Sequence, residues 1–216
     1  SDFQGEEIND IEDLKPAIKQ IVQEIAYYDK GFTVRIHAGE NDSLKDNVGK
    51  SIKCVEESLR PNQEMPRIRI GHGLYSKEPN TKEGKELIEK MKETNTIVEF
   101  QLTSNIRLNN LSKLEKHPIK KFLKEGVKCV QGTDGNGFYG TDTFDEQLAL
   151  QNLLGVTDKE FEKMREVEEQ IIKENEEFFE QKTKKFQEFL KGRTLREALL
   201  KIENEDQDVI LYEATN

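Results

Sequence analysis

Four short runs of β-branched and apolar residues recur along this chain, and amphipathic stretches with helical spacing separate them. The runs cover residues 32–37, 67–71, 97–102 and 127–131, so they begin 30 to 35 residues apart. That step is the length of one strand with its crossover helix and loops. The alternation predicts an α/β fold in which helices join parallel strands, and four such units amount to half of an eight-stranded barrel.

The stretches before, between and after the runs predict helices over 14–28, 44–59, 83–93, 119–125 and 144–154. Their apolar residues lie three and four positions apart, which gives each helix one face for the core. Pro16 suits a first helical turn, while Gly126 and Gly155 suit helix ends.

A longer helix is predicted after Thr157, because Thr157 and Glu160 have the spacing of a capping box. Its apolar residues form two rows at steps of seven, namely Met164, Ile171 and Phe178, and Ile172, Phe179 and Phe186. We expect one stripe to dock on the wall of the α/β domain or on a partner helix. A further helix over 195–202 and an acidic end follow, without a clue to function.

Charge and composition limit the partners of the chain. With 43 acidic and 33 basic side chains among 216 residues, the net charge is -10, which disfavours nonspecific binding to nucleic acid. No apolar run approaches the roughly 18 residues of a membrane span, so we expect no membrane association and a cytoplasmic location. Cys54 and Cys129 lack the spacing of metal ligands or of a disulfide framework, and we expect both to be buried.

Two of the three histidines stand at the ends of predicted strands. In a parallel α/β sheet the carboxyl ends of the strands share one face, where ligands bind. The first strand ends in HAGE at 37–40, and its glycine lets the chain turn so that His37 and Glu40 can meet. The second strand ends in GHG at 71–73, where glycines allow the backbone beside His72 to pass close to a ligand.

The other two strand ends also carry polar side chains. Ser104 and Asn105 follow the third strand, where they either bond a substrate or cap a turn. Asp134 follows the fourth strand and precedes a glycine-rich loop over 135–140. A calcium loop is excluded because Tyr139 occupies its invariant glycine position. A phosphate cradle stays open, although the Gly-Lys-Ser/Thr signature is missing.

Together the strand ends aim His37, Glu40, His72 and Asp134 at one mouth. Imidazole and carboxylate groups can hold a divalent ion, a second imidazole can act as a base, and a separate carboxyl group can donate a proton. The set predicts metal-assisted hydrolysis.

The motifs around these residues resemble those of the adenosine and AMP deaminase family, which belongs to the metal-dependent amidohydrolase superfamily. The match covers roughly residues 1–155. It consists of DFQGEE at 2–7, VRIHAGE at 34–40, RIGHG at 69–73, TSN at 103–105, HP at 117–118 and GTD at 132–134. The combination of these motifs is highly specific.

The resemblance implies a zinc-containing (β/α)8 barrel. Residues 1–156 would form its carboxyl-terminal half, strands five to eight with the end of strand four, and residues 157–216 a helical extension with an acidic tail. By the same analogy His37 and Asp134 are zinc ligands. His72 would orient the attacking water and take its proton, and Glu40 would protonate the purine ring. The implied substrate-binding residues are Gly5, Ser104, Asn105 and Gly135.

Two departures from the family pattern matter. The His-x-His pair that supplies two more metal ligands has no counterpart here, since the remaining histidine, His117, starts a helix with Pro118. The zinc site is therefore incomplete in this chain. In addition, Gly135 replaces a second aspartate that contacts the purine in the family, which leaves the exact substrate open.

We therefore expect part of a zinc-dependent hydrolytic deaminase of adenosine-like purine nucleosides or nucleotides, with little turnover by this chain alone. The alternative is a noncatalytic scaffold or assembly module derived from such a barrel. The chain begins with Ser1 instead of methionine, and we expect a piece of a longer protein whose missing amino-terminal barrel half is its partner. Because a half-barrel has open sheet edges, we also expect the fragment to self-associate.

Overall fold

Five parallel strands follow one another in chain order across a single sheet. The structure, a computed structural model, describes residues 1–4, 7–194, 196, 197 and 200. The strands are β1 (Asp2–Phe3), β2 (Thr33–Ala38), β3 (Arg67–His72), β4 (Ile97–Phe100) and β5 (Lys128–Gln131). The four predicted strands are confirmed, and β1 adds a short parallel edge beside β2.

Helices connect the strands as predicted. They are α1 (Lys15–Ile21), α2 (Asn47–Glu56), α3 (Lys82–Glu93), α4 (Leu102–Arg107), α5 (Ile119–Glu125), α6 (Asn136–Tyr139), α7 (Thr143–Leu154) and α8 (Asp158–Leu190). The single helix predicted over 14–28 is divided, because a 3₁₀ turn (Ile11–Leu14) precedes α1 and a π-helical segment (Val22–Ala26) follows it. The short helix α6 lies in the loop predicted as merely glycine-rich.

The predicted third strand is too long at its carboxyl end. It stops at Phe100, and α4 begins at Leu102. The carboxylate of the fully buried Glu146 accepts hydrogen bonds from the backbone N–H groups of Leu102 and Thr103. These are donors that the first turn of a helix leaves unpaired, so a buried acid on α7 stabilises the helical turn where the sequence favours extension.

The strand side chains alternate between two faces of the sheet. One face is fully buried under helices α1, α2, α3 and α5, with Val34, Ile36, Ile68, Ile70, Val98 and Phe100 each 0% exposed. The opposite face, called here the inner face, carries Arg35, His37, Arg69, Gly71, Ile97, Glu99 and Val130. The register places His37 beside Gly71, and Gly71 beside Glu99. The carboxyl ends of β2, β3 and β5 therefore meet at one edge.

This arrangement confirms the predicted fold class. The parallel sheet with helices on one face is a partial TIM-type barrel, and a helical segment follows it. Cys54 and Cys129 are buried and unpaired, as expected. Within the described ranges, the helices are too short or too polar to cross a membrane. The predicted helix over 195–202 and the acidic end lie outside the described residues, except for 196, 197 and 200.

Helix α8 begins where the capping box predicts. The carboxylate of Glu160 accepts the backbone N–H of Thr157 at 2.8 Å. The row of Met164, Ile171 and Phe178 turns toward the rest of the domain, with Met164 and Ile171 buried. The second row faces away, because Ile172, Phe179 and Phe186 are 57%, 71% and 50% exposed. The expected docking of one stripe on the α/β domain is thus confirmed.

We predict that His117 makes the fold sensitive to acid. Its ring is buried beside the ring of Phe100, its Nδ1 accepts the backbone N–H of Ile119 at 3.3 Å, and burial lowers its pKa to about 4. The unfolded chain, with a histidine pKa of about 6.5, binds the proton first. The free energy of unfolding should therefore decrease by up to about 3 kcal/mol as the pH falls from 6.5 to 4.

Urea unfolding at a series of pH values measures this effect. His117→Asn keeps a polar group of similar reach but does not titrate, so its unfolding free energy should depend less on pH in that window. Equal pH dependence in the wild type and the variant would contradict the assignment.

Candidate active site

A cavity of 710 Å³ opens at the carboxyl ends of the strands. Its walls come from the loops after β1, β2, β3 and β5 and from the end of α4. The lining residues are Gln4, Glu7, His37, Glu40, Asn41, His72, Leu108, Asn110, Asp134 and Tyr139. Four of these are the residues at which the strand ends were predicted to converge, so the predicted common mouth exists.

The turn after β2 brings His37 and Glu40 to the cavity. Gly39 has a φ of +77°, and a Cβ atom at this position would collide with the backbone carbonyl of Tyr75. Glycine is thus required for both conformation and space. The backbone N–H of Tyr75 also donates to the carbonyl of Gly39 at 2.7 Å, which ties the turn to the loop after β3.

The side chain of Glu7 holds this turn in place. Its carboxylate accepts the backbone N–H groups of Gly39 at 2.9 Å, Glu40 at 2.7 Å and Asn41 at 2.8 Å. It also accepts Nδ2 of Asn47 at 2.9 Å. The sequence presents Glu7 as the end of the first motif, but its partners lie 32 to 40 residues away, so its role as an anchor emerges from the structure.

His72 is the most buried of the converging side chains, at 1% exposed. Its Nε2 lies 3.2 Å from Nδ1 of His37, and its Nδ1 lies 3.2 Å from Oδ1 of Asn105. Its backbone N–H donates to Oε1 of the buried Gln101 at 2.9 Å. Both the backbone and the ring are therefore fixed, and Nε2 faces the cavity.

The glycines around His72 serve packing needs. A Cβ atom at Gly71 would lie 3.2 Å from the ring of His37, which packs against β3 at that point. Gly73 has a φ of +54°, and a Cβ atom there would lie 2.5 Å from the side chain of Val98. Gly71 thus leaves room for the ring of His37 beside His72, and Gly73 allows the backbone to turn close to Val98.

Asp134 completes a group that could hold a metal ion. One donor atom each from His37, His72 and Asp134 lies within 4.8 Å of the other two. Two imidazoles and a carboxylate are ligands that catalytic zinc accepts. Nε2 of His37 is buried and lacks a hydrogen bond among the described residues, while Oδ1 of Asp2 lies 3.4 Å from it. The donor set therefore fits a divalent transition metal.

The protonation states suit acid and base chemistry at neutral pH. Burial lowers the pKa of His72 to about 4, and burial with the nearby charge of Arg35 lowers the pKa of His37. Both imidazoles are thus neutral near pH 7. Burial and the carboxylates of Asp134 and Glu7 raise the pKa of Glu40 to about 7, although the hydrogen bond from Asn110 opposes the shift.

Glu40 is placed to exchange a proton within the cavity. Its Oε2 lies 3.7 Å from Nε2 of His72, and its Oε1 accepts Nδ2 of Asn110 at 3.1 Å. Asn110 and Tyr139, which also lines the cavity, were not singled out from the sequence. The partner of Asn110 comes from another strand end, and Tyr139 reaches the cavity from α6, so residue type and local spacing carry no signal for either.

The predicted substrate-binding residues separate into three cases. Ser104 and Asn105 are fully buried and lie outside the cavity lining; Asn105 contacts His72, and Ser104 bonds the carbonyl of Gln101 at 3.1 Å. Gly135 directly follows Asp134, and a Cβ atom there would make only ordinary contacts of 3.5 Å or more. Steric crowding therefore does not require a glycine at 135. Gly5 lies outside the described residues.

An ion network underlies the site on the inner face. Glu99, only 4% exposed, pairs with Arg35 at 2.7 Å and with Arg69. Arg35 also pairs with Asp2 at 2.7 Å, and Asp2 faces His37. The network links the first strand to His37 through charged groups that compensate one another, as buried ions require.

Comparison with known proteins assigns the family. A family model described as adenosine deaminase matches residues 2–185. The chain belongs to the adenosine deaminase family. Its curated relatives include the adenosine deaminase of Plasmodium knowlesi, 33% identical over 156 residues, which are 71% of this chain and 38% of the relative.

Other relatives in the family show the same partial overlap. The adenosine deaminase of Plasmodium falciparum (isolate 3D7) is 31% identical over 163 residues, which are 76% of this chain and 39% of the relative. That of Escherichia coli (strain SE11) is 28% identical over 129 residues, 60% of this chain and 34% of the relative. The chain thus spans well under half the length of the adenosine deaminases it matches.

We predict that Glu7→Gln loosens the turn after β2. The neutral amide offers one oxygen where the carboxylate accepts four donors, and hydrogen bonds to a charged group contribute about 1.5–3 kcal/mol each. We expect the free energy of unfolding to decrease by about 2–4 kcal/mol in a urea titration. Glu115→Gln, an exposed control, should change it by less than about 0.5 kcal/mol. Equal stability of the two variants would refute the anchoring role.

Proposed function

We propose that this chain forms the carboxyl-terminal half of a zinc-dependent hydrolytic deaminase barrel that acts on adenosine-like purine nucleosides or nucleotides. One observation carries the proposal: donor atoms of His37, His72 and Asp134 lie within 4.8 Å of one another, with Glu40 beside His72. In a member of the adenosine deaminase family, this convergence supports removal of an amino group by water with release of ammonia.

Zinc is the proposed metal, with His37 and Asp134 as its ligands from this chain. When bound, it lowers the pKa of a coordinated water to about 7, so that hydroxide is available at neutral pH. Two imidazoles from outside this chain complete the proposed ligand set. The buried Nε2 of His37, which lacks a hydrogen bond among the described residues, and the nearby carboxylate of Asp134 support a cation at this point.

His72 is the proposed base. Its lowered pKa keeps the ring neutral, and Asn105 fixes the ring through Nδ1, so Nε2 is available toward the cavity. In this role Nε2 orients the attacking water and takes its proton. The burial of the ring and the bond to Gln101 hold that nitrogen in position without substrate.

Glu40 is the proposed acid. A pKa of about 7 leaves a substantial fraction of the carboxyl group protonated at neutral pH, which a proton donor to a purine ring nitrogen needs. Protonation of that nitrogen makes the adjacent, amino-bearing carbon open to attack. The carbon then gains an oxygen from water and loses the amino group as ammonia, so the reaction is hydrolytic.

The proposed substrate-binding residues divide into two groups. Gly135 and Gly5 remain proposed backbone contacts to the purine. For Ser104 and Asn105 we propose support from behind His72 instead of direct contact, because both are fully buried. Leu108 and Tyr139 are further candidates, since both line the cavity.

The proposed working form is a closed barrel completed by an amino-terminal half from outside this chain. The isolated fragment is then nearly inactive. We propose that it self-associates through the open outer edge of β1, and that it acts in purine metabolism in the cytoplasm, which its two free thiols support. The alternative is a noncatalytic scaffold, favoured by Gly135 in place of the family's aspartate.

Ammonia release from adenosine and from adenosine monophosphate tests the proposal in the complete protein that contains this chain. We expect turnover with one tightly bound zinc per barrel. Glu40→Gln should lower kcat by about 100- to 10,000-fold, the range for loss of a general acid. Glu115→Gln is the matched control and should retain full activity.

The two candidate functions give different results. A folded complete protein that binds zinc but releases no ammonia would favour the scaffold. Full activity in Glu40→Gln would contradict the role of Glu40, whatever the substrate.

A further inference from the structure

Helix α8 starts on the outer, helical side of the sheet and ends on the other side. Phe161 and Met164 in its first turns are buried in the main core with α5 and the strands. Nζ of Lys120 donates to Glu160 at 2.5 Å, which fixes the start of α8 against α5. From this anchor the 33-residue helix runs past the edge of β5, with which it makes close contact.

Its middle packs on the inner face. Val98, Phe100 and Cys129 point into the main core, whereas their neighbours Ile97 and Val130 point to the inner face. Ile97 and Val130 form a separate apolar cluster with Ile171 and Val167 of α8. Ile171, at 9% exposed, thus covers inner-face side chains that a closed barrel would bury in its interior.

The same stretch of α8 lies beside the free edge of β5. The backbone N–H of Gly132 donates to the carbonyl of Phe100, so the N–H of Gln131, one residue earlier, faces away from β4. Helix α8 passes close to β5 on this side. The helix therefore occupies the side of β5 on which the next strand of a closed barrel would lie.

The far end of α8 reaches the beginnings of β2 and β3. Arg67, at the start of β3, bonds Glu174 and also Oδ1 of Asn175 at 2.8 Å. The ring of Phe178 lies against Gly31, where a Cβ atom would approach it to 2.8 Å. Lys182 pairs with Asp29. These contacts join residues more than 100 positions apart in the sequence, so α8 reaches from β5 past β4 to the beginnings of β3 and β2.

We propose that α8 is an intramolecular substitute for the strand that would lie beside β5 in a closed barrel. The helix must leave the inner face before any further barrel segment can pair with β5. The proposal rests on the closed barrel of the proposed function, but edge closure by α8 does not require catalysis. Because α8 covers the surface formed by the β5 edge, Ile97 and Val130, this surface is a latent interaction site that opens only when the helix leaves.

The latent site defines the chemistry of its partner. The free edge offers the N–H of Gln131 and the alternate carbonyls of β5, which suit an extended strand running parallel to β5. The side chains facing Ile97 and Val130 would have to be apolar. A second copy of this chain can act as a probe, because β1 brings an unpaired edge of its own.

Two adjacent isoleucines give a matched test in the full chain. Ile171→Asp places a charge in the buried cluster, whereas Ile172→Asp changes a side chain that is 57% exposed. The readout is amide hydrogen exchange at Gln131, followed in folded samples checked by circular dichroism. We expect exchange at least about 10-fold faster in Ile171→Asp, and a rate close to that of the wild type in Ile172→Asp.

Sedimentation velocity of the same samples tests exclusion of a partner. With the β5 edge closed, association is limited to the β1 edge; with both edges open, larger assemblies form. Ile171→Asp should therefore sediment as larger species than Ile172→Asp at equal concentration. Faster exchange without larger species would overturn the exclusion, and unchanged exchange at Gln131 would overturn the whole proposal.

A second variant keeps the test decisive if Ile171→Asp does not fold. Val167→Asp places a charge beside the same cluster and leaves Ile171 in place. Faster exchange at Gln131 in this variant supports edge closure, and an unchanged rate overturns it. Neither result depends on deaminase activity, so failure of this proposal and failure of the proposed function remain distinguishable.

Discussion

The site depends on an unusual backbone conformation at His72. Strand alternation would direct this side chain to the helical face, because Ile68 and Ile70 point there. His72 has a φ of +70°, in the left-handed region that residues with a side chain seldom adopt. The ring instead meets His37, whose own side chain lies on the inner face. Without this departure from the pleat, the two imidazoles would stand on opposite sides of the sheet.

Such a conformation costs about 1–3 kcal/mol and persists only when its surroundings enforce it. Gln101 holds the backbone N–H of His72, and Asn105 holds the ring. Gln101 directly precedes α4 and Asn105 lies within it, and the buried Glu146 stabilises the first turn of this helix. A series of buried polar contacts from α7 to β3 thus offsets the free-energy cost of the backbone conformation of His72. Glu7 likewise stabilises the turn that carries Glu40, because its carboxylate accepts the backbone N–H of that residue.

The sequence predicts the sheet and the convergence well, since both follow from local information. Runs of β-branched residues and the histidines at their ends place His37, Glu40, His72 and Asp134 at one mouth once the strands are parallel. The contacts that position these groups escape prediction. Glu7, Glu146 and Asn110 act on partners 32 or more residues away, and no local pattern distinguishes them from surface polar residues.

The path of α8 shows the same limit. Helical spacing identifies the row of Met164, Ile171 and Phe178 as a docking face, but not the surface on which it docks. That surface is the inner face of an open sheet, where Ile97, Val130 and Arg67 offer apolar and charged contacts. Long-range topology therefore decides what the periodic pattern leaves open.

The central claim is that His37 and Asp134 share a metal ion beside His72 and Glu40. Anomalous diffraction from crystals of the complete protein that contains this chain, grown with zinc, measures this most directly. The account predicts one zinc peak about 2.0–2.2 Å from a ring nitrogen of His37 and a carboxylate oxygen of Asp134, with Glu40 outside the coordination sphere. Crystals in which zinc is absent from this cavity, or in which His37 and Asp134 point to different cavities, would contradict it.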